Sequence, residues 1–288
     1  MASASANSNV GCQSCFAILE NKLLVGFLVV DWHRPFLIGL TCGVLILCCT
    51  LCVSLNRGGD AKMHPSPNFN ERKCPVSMIV IHYTVIPTCE EALARLCDTT
   101  NRAGRVSAHY LVDRDGSVYG LVDEARRAWH AGVGKWRDVT DVNSAFVGIE
   151  LVNVGLTEDG RRECYPNAQM EALISLCKDI QSRYGIQFVL GHSDVAPARK
   201  QDPGEAFDWN RLARAGIGVW TDEFGESGDA LENVHSEIGY DVTDLKAAVI
   251  AFQRHFYPEG LASDDSGEMT RKRAAPLIRR CARNFDLL

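Results

Sequence analysis

The chain has 288 residues, of which 46% are hydrophobic and 23% are charged. This composition is typical of a globular protein and excludes collagen-like, disordered and coiled-coil chains. The formal net charge is -6, so the chain as a whole offers no positively charged surface for phosphates, and we expect no nucleic-acid partner. The sequence leaves the oligomeric state open.

An uncharged run, FLIGLTCGVLILCCTLCVSL at 36–55, follows an N-terminal tail at 1–35. At 1.5 Å per helical residue, a run of this length crosses about 30 Å of hydrocarbon. We therefore predict a transmembrane or signal-anchor segment, with a buried core helix, a lipoprotein signal and a cleaved signal peptide as alternatives. The basic residues on its two sides do not decide its orientation. A polar linker is predicted at 56–74.

The region 75–222 alternates strand-like and helix-like segments. Strands are predicted at 76–81, 107–112, 146–152 and 186–190, with the second forming a hairpin through the turn DRDG. Helices are predicted at 90–102 and from Asn167, which we expect to cap the second helix. This irregular alternation predicts an α/β fold in which helices flank a mixed central sheet.

A polar, glycine-containing stretch, EFGESGD, precedes the region 229–288. Three helical segments in that region predict a small C-terminal three-helix domain. The alternative is that these helices pack on the preceding domain, with Phe252, Phe256 and Tyr257 partly buried at the contact.

The segment GHSDVAPARKQDPG at 191–204 carries the first candidate site. His192 follows a predicted buried strand, Asp202 lies in an Asp-Pro-Gly turn, and His82 lies at the end of another strand. Two histidines and one carboxylate form a common catalytic zinc set that leaves a fourth position for water. The chain has eight histidines, so structural histidines in the core or on the surface are the alternative.

Glu150 lies within the predicted strand FVGIELV. Alternation along the strand places its carboxylate on the same face as Gly148. Burial would raise the pKa of this carboxyl toward the range that suits a general base. The alternative is a structural glutamate in an ion pair with Arg126 or Arg127.

Three further segments contain candidate site residues. Lys200 precedes Asp202 by two residues and would stabilise a developing oxyanion if that aspartate binds metal. The segment AWHAG offers Trp129 and His130 as walls of a substrate groove. His109 in SAHYLV either lines the same groove or lies in the core.

Five blocks follow one another along the region 75–222. They are IHYT at 81–84, SAHYLVDRDG at 107–116, AWHAG at 128–132, VGIELVN at 147–153 and GHSDVAPARKQDPG at 191–204. Together they resemble the type-2 zinc N-acetylmuramoyl-L-alanine amidases. The resemblance is greatest to the AmiD-like, membrane-anchored periplasmic members, because it continues through GIGVW into the C-terminal segments IGYDV and AVIAFQRHFYP.

This resemblance implies an activity and a role for each candidate. It implies hydrolysis of the amide between the lactyl group of N-acetylmuramic acid and the L-alanine of the stem peptide. Zn²⁺ would be bound by His82, His192 and Asp202, with Glu150 as the general base and Lys200 holding the oxyanion.

The same resemblance implies where the protein acts. The substrate would be peptidoglycan or a muropeptide, and 229–288 would be a helical peptidoglycan-binding domain. The protein would lie in the bacterial cell envelope, anchored in a membrane through 36–55, with its catalytic domain at 75–222 in the periplasm.

Two other functions remain to be compared with this one. A related fold could recognise peptidoglycan without cutting it, but such proteins typically lose a zinc ligand, and this sequence retains every candidate. A cytoplasmic amidase that recycles imported wall fragments would need neither the apolar segment nor a wall-binding region.

Overall fold

The computed structural model describes residues 61–186, 188–263 and 267–285. The predicted tail at 1–35, the apolar segment at 36–55 and residues 56–60 of the predicted linker lie outside the described residues. Among the described helices, none is both long and apolar enough to cross a membrane.

A six-stranded mixed sheet forms the centre of the protein. The strands are β1 (Lys62–Met63), β2 (Phe69–Glu71), β3 (Met78–Tyr83), β4 (Tyr110–Val112), β5 (Val118–Gly120), β6 (Arg126–Ala128), β7 (Phe146–Leu151) and β8 (Phe188–Gly191). The spatial order in the main sheet is β1-β5-β4-β7-β3-β8, and β2 pairs with β6 separately. Only β4 and β5 run antiparallel among the neighbours of the main sheet. This confirms the mixed central sheet.

The helices surround this sheet. They are α1 (Cys89–Cys97), α2 (Val142–Ala145), α3 (Asn167–Tyr184), α4 (His192–Val195), α5 (Trp209–Arg214), α6 (Leu231–Ile238), α7 (Leu245–Phe256), α8 (Pro258–Ala262) and α9 (Glu268–Phe285). The predicted cap at Asn167 is wrong, because Pro166 occupies the N-cap position and the Asn167 side chain accepts a hydrogen bond from Arg211 instead.

Helix α1 is shorter than the sequence predicts. It ends at Cys97, and Asp98 takes an extended conformation there. The Asp98 carboxylate accepts hydrogen bonds from the backbone N–H and the hydroxyl of Thr100. This local turn competes with further helical hydrogen bonds, so the predicted helix stops before 102.

One face of the sheet packs against α3. Residues Ile79 and Ile81 of β3 and Ile149 of β7 are fully buried against Leu173 and Ile180 of that helix. Burial of an aliphatic side chain of this size contributes about 1.5–3 kcal/mol. The apolar spacing along α3 that predicted a helix therefore marks the side that covers the sheet.

The C-terminal helices cover the other face. Phe252 and Phe256 of α7 share one core with Met78, Val80 and residues of β7, β8, α6 and α9. The described residues form one compact unit. The sequence predicts three helices in this region, whereas the described residues form four, because Pro258 begins a short helix directly after Tyr257. The C-terminal segment is therefore the second layer over the sheet, as in the packing alternative of the sequence analysis.

Candidate active site

His82 and Glu150 lie directly opposite each other on the parallel strands β3 and β7. Opposite residues of neighbouring parallel strands point to the same side of a sheet. The adjacent strand β8 ends at Gly191, and His192 begins α4. The carboxyl ends of three parallel strands thus bring these side chains to one edge of the sheet, which is the usual place for a ligand site in such folds.

The structure brings the three predicted metal ligands together. Nδ1 of His82 lies 2.9 Å from Nδ1 of His192 and 3.1 Å from Oδ2 of Asp202. Nδ1 of His192 lies 3.0 Å from the same oxygen. All three residues are buried, and they form the one group of three potential ligands found within the described part of the chain.

The remaining nitrogen of each histidine has its own partner. Nε2 of His192 lies 3.0 Å from the carbonyl oxygen of Ala131, to which it donates. Nε2 of His82 lies 3.1 Å from Nδ1 of His130. When both Nε2 atoms carry the proton, both Nδ1 atoms present lone pairs. Two nitrogen lone pairs and a carboxylate oxygen then converge with no proton between them.

This convergence fits a zinc ion. Bonds of about 2.0 Å to a tetrahedral zinc would set the ligand atoms about 3.3 Å apart, close to the separations present here. Two histidines and an aspartate are also a common donor set for a zinc that keeps one position open. The residues therefore fit the metal that the resemblance implies.

The surroundings of His82 and Asp202 keep these two residues in their metal-binding protonation states. Burial, together with the neighbouring His192, lowers the pKa of His82 to about 4. Burial alone would favour the neutral form of Asp202, but hydrogen bonds and charge from His192 and His82 outweigh it and hold the pKa of that carboxyl far below its usual range. At neutral pH the site has a neutral His82 and an anionic Asp202.

Glu150 is only partly exposed, and its Oε2 atom has no hydrogen-bond partner in the described structure. Burial, and then the charge of Asp202, raises the pKa of Glu150 to about 8. The charge of Lys200 acts in the opposite direction on this pKa. A carboxyl whose pKa lies near neutrality and whose oxygen is unpartnered can accept a proton from a nearby water.

The two arginines that could have formed a structural ion pair with Glu150 pair with other carboxylates. Arg127 pairs with Asp141 at 3.0 Å, and Arg126 pairs with Glu71. Both arginines belong to β6, which pairs with β2 outside the main sheet. The structural alternative for Glu150 therefore lacks its expected partners.

Lys200 lies beside the same site. Its positive charge lowers the pKa values of both Glu150 and His82. Its backbone N–H donates to the carbonyl of Ala196, which closes the turn after α4. A lysine held there can stabilise negative charge that develops near the metal ligands.

The three predicted groove residues have different surroundings. His130 contacts the predicted ligand His82 through its ring nitrogen and packs on Gly148, where a Cβ would lie 2.4 Å from the His130 ring. Trp129 points elsewhere: its indole N–H donates to Asn70 at 2.8 Å, and the Arg105 guanidinium lies 4.8 Å from its ring.

His109 is fully buried and therefore lies in the core. Its Nδ1 accepts from the backbone N–H of Gly148 at 2.9 Å, and Nε2 lies 3.1 Å from the carbonyl of Arg126. Burial, with the adjacent Arg72, lowers its pKa to about 3. This corresponds to the core alternative, in which a neutral His109 links neighbouring strands.

An open cavity of about 550 Å³ lies beside the segment that follows His192, and its lining includes Val195, Arg199, Lys135 and Asp241. None of the predicted metal ligands lines this cavity. Its volume falls in the usual range for small-molecule sites. Its lining offers charges of both signs.

One set of residues near the site is not predictable from local sequence. Asp194, two residues after His192, is completely buried and bonds to Tyr240 and His255. Its position inside the segment 191–204 was the one available signal. Its partners lie 46 and 61 residues further along the chain, and no local pattern connects them.

Comparison with known proteins identifies relatives of this chain. The family model described as N-acetylmuramoyl-L-alanine amidase matches residues 72–205. The N-acetylmuramoyl-L-alanine amidase AmiD of Escherichia coli (strain K12) is 36% identical over 214 residues, which cover 64% of this chain and 75% of AmiD.

Two solved structures share the fold. The complex of E. coli AmiD with anhydro-N-acetylmuramic acid-L-Ala-D-gamma-Glu-L-Lys matches with a TM-score of 0.63 and 33% identity, covering 73% of this chain and 92% of that one. AMPDH3 from Pseudomonas aeruginosa matches with a TM-score of 0.60 and 31% identity, covering 69% and 90%. Both matches extend beyond the residues of the family model.

Proposed function

The chain belongs to the N-acetylmuramoyl-L-alanine amidase family, and we propose that it is a zinc enzyme that cleaves the amide between the lactyl group of N-acetylmuramic acid and the L-alanine of the stem peptide. The observation that carries this proposal is the convergence of His82, His192 and Asp202 within 3.1 Å of one another. Glu150 lies directly across the strand pair from the first of these ligands.

Zinc bound by these three residues would polarise the amide carbonyl and make a water molecule more acidic. The protein contributes the geometry that such chemistry needs. Ala131 and His130 orient the two histidine rings, and the anionic Asp202 neutralises part of the metal's charge. No serine or cysteine nucleophile is required.

Glu150 moves the proton. As the carboxylate, it accepts the proton of the attacking water, and as the acid, it delivers that proton to the leaving amine of L-alanine. Lys200 donates hydrogen bonds to the carbonyl oxygen as that oxygen gains negative charge. These two roles need a carboxylate and an ammonium group close together at one edge of the sheet. The charge of Lys200 lowers the pKa of Glu150, which supports this arrangement.

The substrate class follows from the relatives. The AmiD complex holds anhydro-N-acetylmuramic acid-L-Ala-D-gamma-Glu-L-Lys, and we propose that this chain acts on peptides of the same class. A binding protein without activity would need neither Glu150 nor a complete ligand set.

For the location we propose the cell envelope, with the segment 36–55 as a membrane anchor and the catalytic part on the wall side. The support is the uncharged length of that segment, which suffices to cross a bilayer. Full-length protein should therefore sediment with membranes and resist a high-salt wash, because salt screens charges but does not expose buried apolar residues. Release by salt alone would contradict the anchor.

The zinc dependence tests the proposed function. The full chain, purified in mild detergent, should bind about one zinc and release L-alanyl peptides from a soluble anhydromuropeptide, and a chelator should abolish this release. Asp202→Asn should lose the metal. Asp208→Asn is the control, because Asp208 is an N-cap of α5 and asparagine caps equally well. Full activity in metal-free protein or in Asp202→Asn would contradict the proposal.

A further inference from the structure

Asp194 connects the metal-ligand segment to the C-terminal helices. Its Oδ2 accepts from the backbone N–H of Gly191 and from Nδ1 of His255, both at 2.7 Å, and its Oδ1 accepts from the hydroxyl of Tyr240 at 2.6 Å. Asp194 and His255 are 0% and 2% exposed at their side chains. A carboxylate this deeply buried needs all of these donors, because water cannot replace them.

His255 is itself held tightly. Its ring stacks on Trp209 of α5, with ring centres 3.7 Å apart and an interplanar angle of 19°. Trp209 also lies against Gly191, where an added Cβ would be 3.3 Å from the indole and 2.7 Å from Pro203. His255 therefore joins Asp194, two residues after His192, to Trp209, which packs against the end of β8 at Gly191.

The ligand helix has little support of its own. Helix α4 contains four residues, His192–Val195, and Asp194 lies in its single turn. The direction of the His192 ring depends on how this turn is placed relative to β8. Side chains of a metal site must be held within about 0.5 Å of the productive geometry, so contacts that fix Asp194 also fix the position of the His192 ligand atom.

We propose that Tyr240 and His255 are positioning residues for the metal site: through Asp194 they hold α4 so that His192 meets His82 and Asp202. The C-terminal helices then complete the active site in addition to covering the sheet. Neither residue touches the metal or the substrate in this scheme. The inference rests on the proposed function, since it requires that the three ligands bind zinc.

Two variants with a matched control test this role. Tyr240→Phe removes one hydroxyl and keeps the buried ring, and His255→Leu removes the imidazole donor. Tyr110→Phe is the control, because Tyr110 also donates to a buried carboxylate, Glu124, at 2.7 Å. The Tyr110 ring belongs to the core on the opposite face of the sheet, away from the metal ligands.

The readout is the zinc dissociation constant of the full chain, measured by competition with a chelator, beside the unfolding midpoint of the metal-free protein. Tyr240→Phe and His255→Leu should weaken zinc binding about tenfold, as loss of supporting hydrogen bonds does at other metal sites. Tyr110→Phe should lower the unfolding midpoint similarly but change zinc affinity less than about twofold. His255→Asn, which restores a donor, should recover part of the affinity.

The outcomes separate this inference from the proposed function. The inference would be overturned if Tyr240→Phe left the zinc affinity unchanged, or if Tyr110→Phe lowered the zinc affinity equally. Zinc binding by the wild-type chain would still support the metal site in that case. If the wild-type chain bound no zinc, the proposed function and this inference would both be overturned. Should His255→Leu not fold, the Tyr240→Phe comparison decides.

Discussion

His82 and His192 place their Nδ1 atoms 2.9 Å apart, and the carboxylate of Asp202 lies 3.0 Å from one and 3.1 Å from the other. Three buried acceptor atoms at these distances repel one another unless a cation or proton lies between them. In the metal-free protein a proton on a histidine ring relieves this repulsion through a hydrogen bond to Asp202. Zinc that binds only the folded chain would stabilise it further. Zinc should raise the unfolding midpoint, with a gain of about 4 kcal/mol at a thousand-fold excess over its dissociation constant. Calorimetry with and without zinc measures this, and an unchanged midpoint would contradict it.

Glu150→Gln separates the proton-transfer role from metal binding. Glutamine keeps the shape of the side chain and leaves all three ligands in place, so zinc content should stay the same. Turnover should fall by about a hundredfold or more, because the amide cannot accept a proton. Metal analysis and a muropeptide hydrolysis assay on the same preparation measure both quantities. Loss of zinc together with activity would show that Glu150 supports or binds the metal.

The raised pKa of Glu150 also predicts that the folding stability of the metal-free protein depends on pH. Burial raises the pKa of Glu150 from 4.5 to about 8, so the folded state holds a proton that the unfolded state has released. The stability from this group is fully present below about pH 4.5 and is lost as the pH rises through about 8. Glutamine does not titrate, so the Glu150→Gln variant does not lose stability as the pH rises.

Glu150→Gln should therefore gain stability relative to the wild type between pH 4.5 and pH 8. We expect a gain of about 1–3 kcal/mol, since each pKa unit corresponds to about 1.4 kcal/mol and solvent at the site reduces the full effect. Denaturant unfolding of both proteins across this range measures the difference. A difference that does not vary with pH would contradict the buried position of the carboxyl.

Local sequence patterns predicted much of the site because its residues lie on regular elements. His82 and Glu150 lie on apolar strands, where a polar residue is conspicuous, and parallel pairing brings such residues to the same edge. Burial of His109 was open from the sequence, because alternation alone does not separate a groove wall from a core position. The structure decides it through the bond from Gly148.

Contacts between distant segments could not be predicted in the same way. Asp194 reads as one polar residue in a loop until Tyr240 and His255 are folded against it. Likewise, the sequence offered burial of Phe252 against the preceding domain as an alternative, but it did not identify the sheet face of Met78 and Val80 as the partner. Such pairings depend on tertiary packing, which intrinsic propensities do not encode.

Removal of the C-terminal helices tests their part in the fold. If the C-terminal segment were a separate wall-binding domain, as the sequence predicts, a cut near Gly225 would reduce binding and hydrolysis on insoluble wall and spare activity on soluble fragments. The shared core changes this expectation, because the cut exposes the face of Met78 and Val80. The truncated chain should unfold at a much lower temperature and lose soluble and insoluble substrates together.

Phe252→Ala is the milder test of the same contact. The side chain is fully buried, and its loss should cost about 3–5 kcal/mol. Denaturant unfolding measures this cost. A truncated protein that stays folded and active on soluble muropeptides would instead support an independent wall-binding domain.

The bond that is cut is the most direct test of the central claim. Full-length protein with zinc is incubated with a purified anhydromuropeptide, and the products are identified by mass spectrometry. We predict two products, an intact stem peptide with a free L-alanine amine and an anhydromuramic acid with a free lactyl carboxylate. Glu150→Gln should release neither at a comparable rate. Cleavage within the peptide or the sugar, or no cleavage by zinc-loaded wild-type protein, would contradict the account.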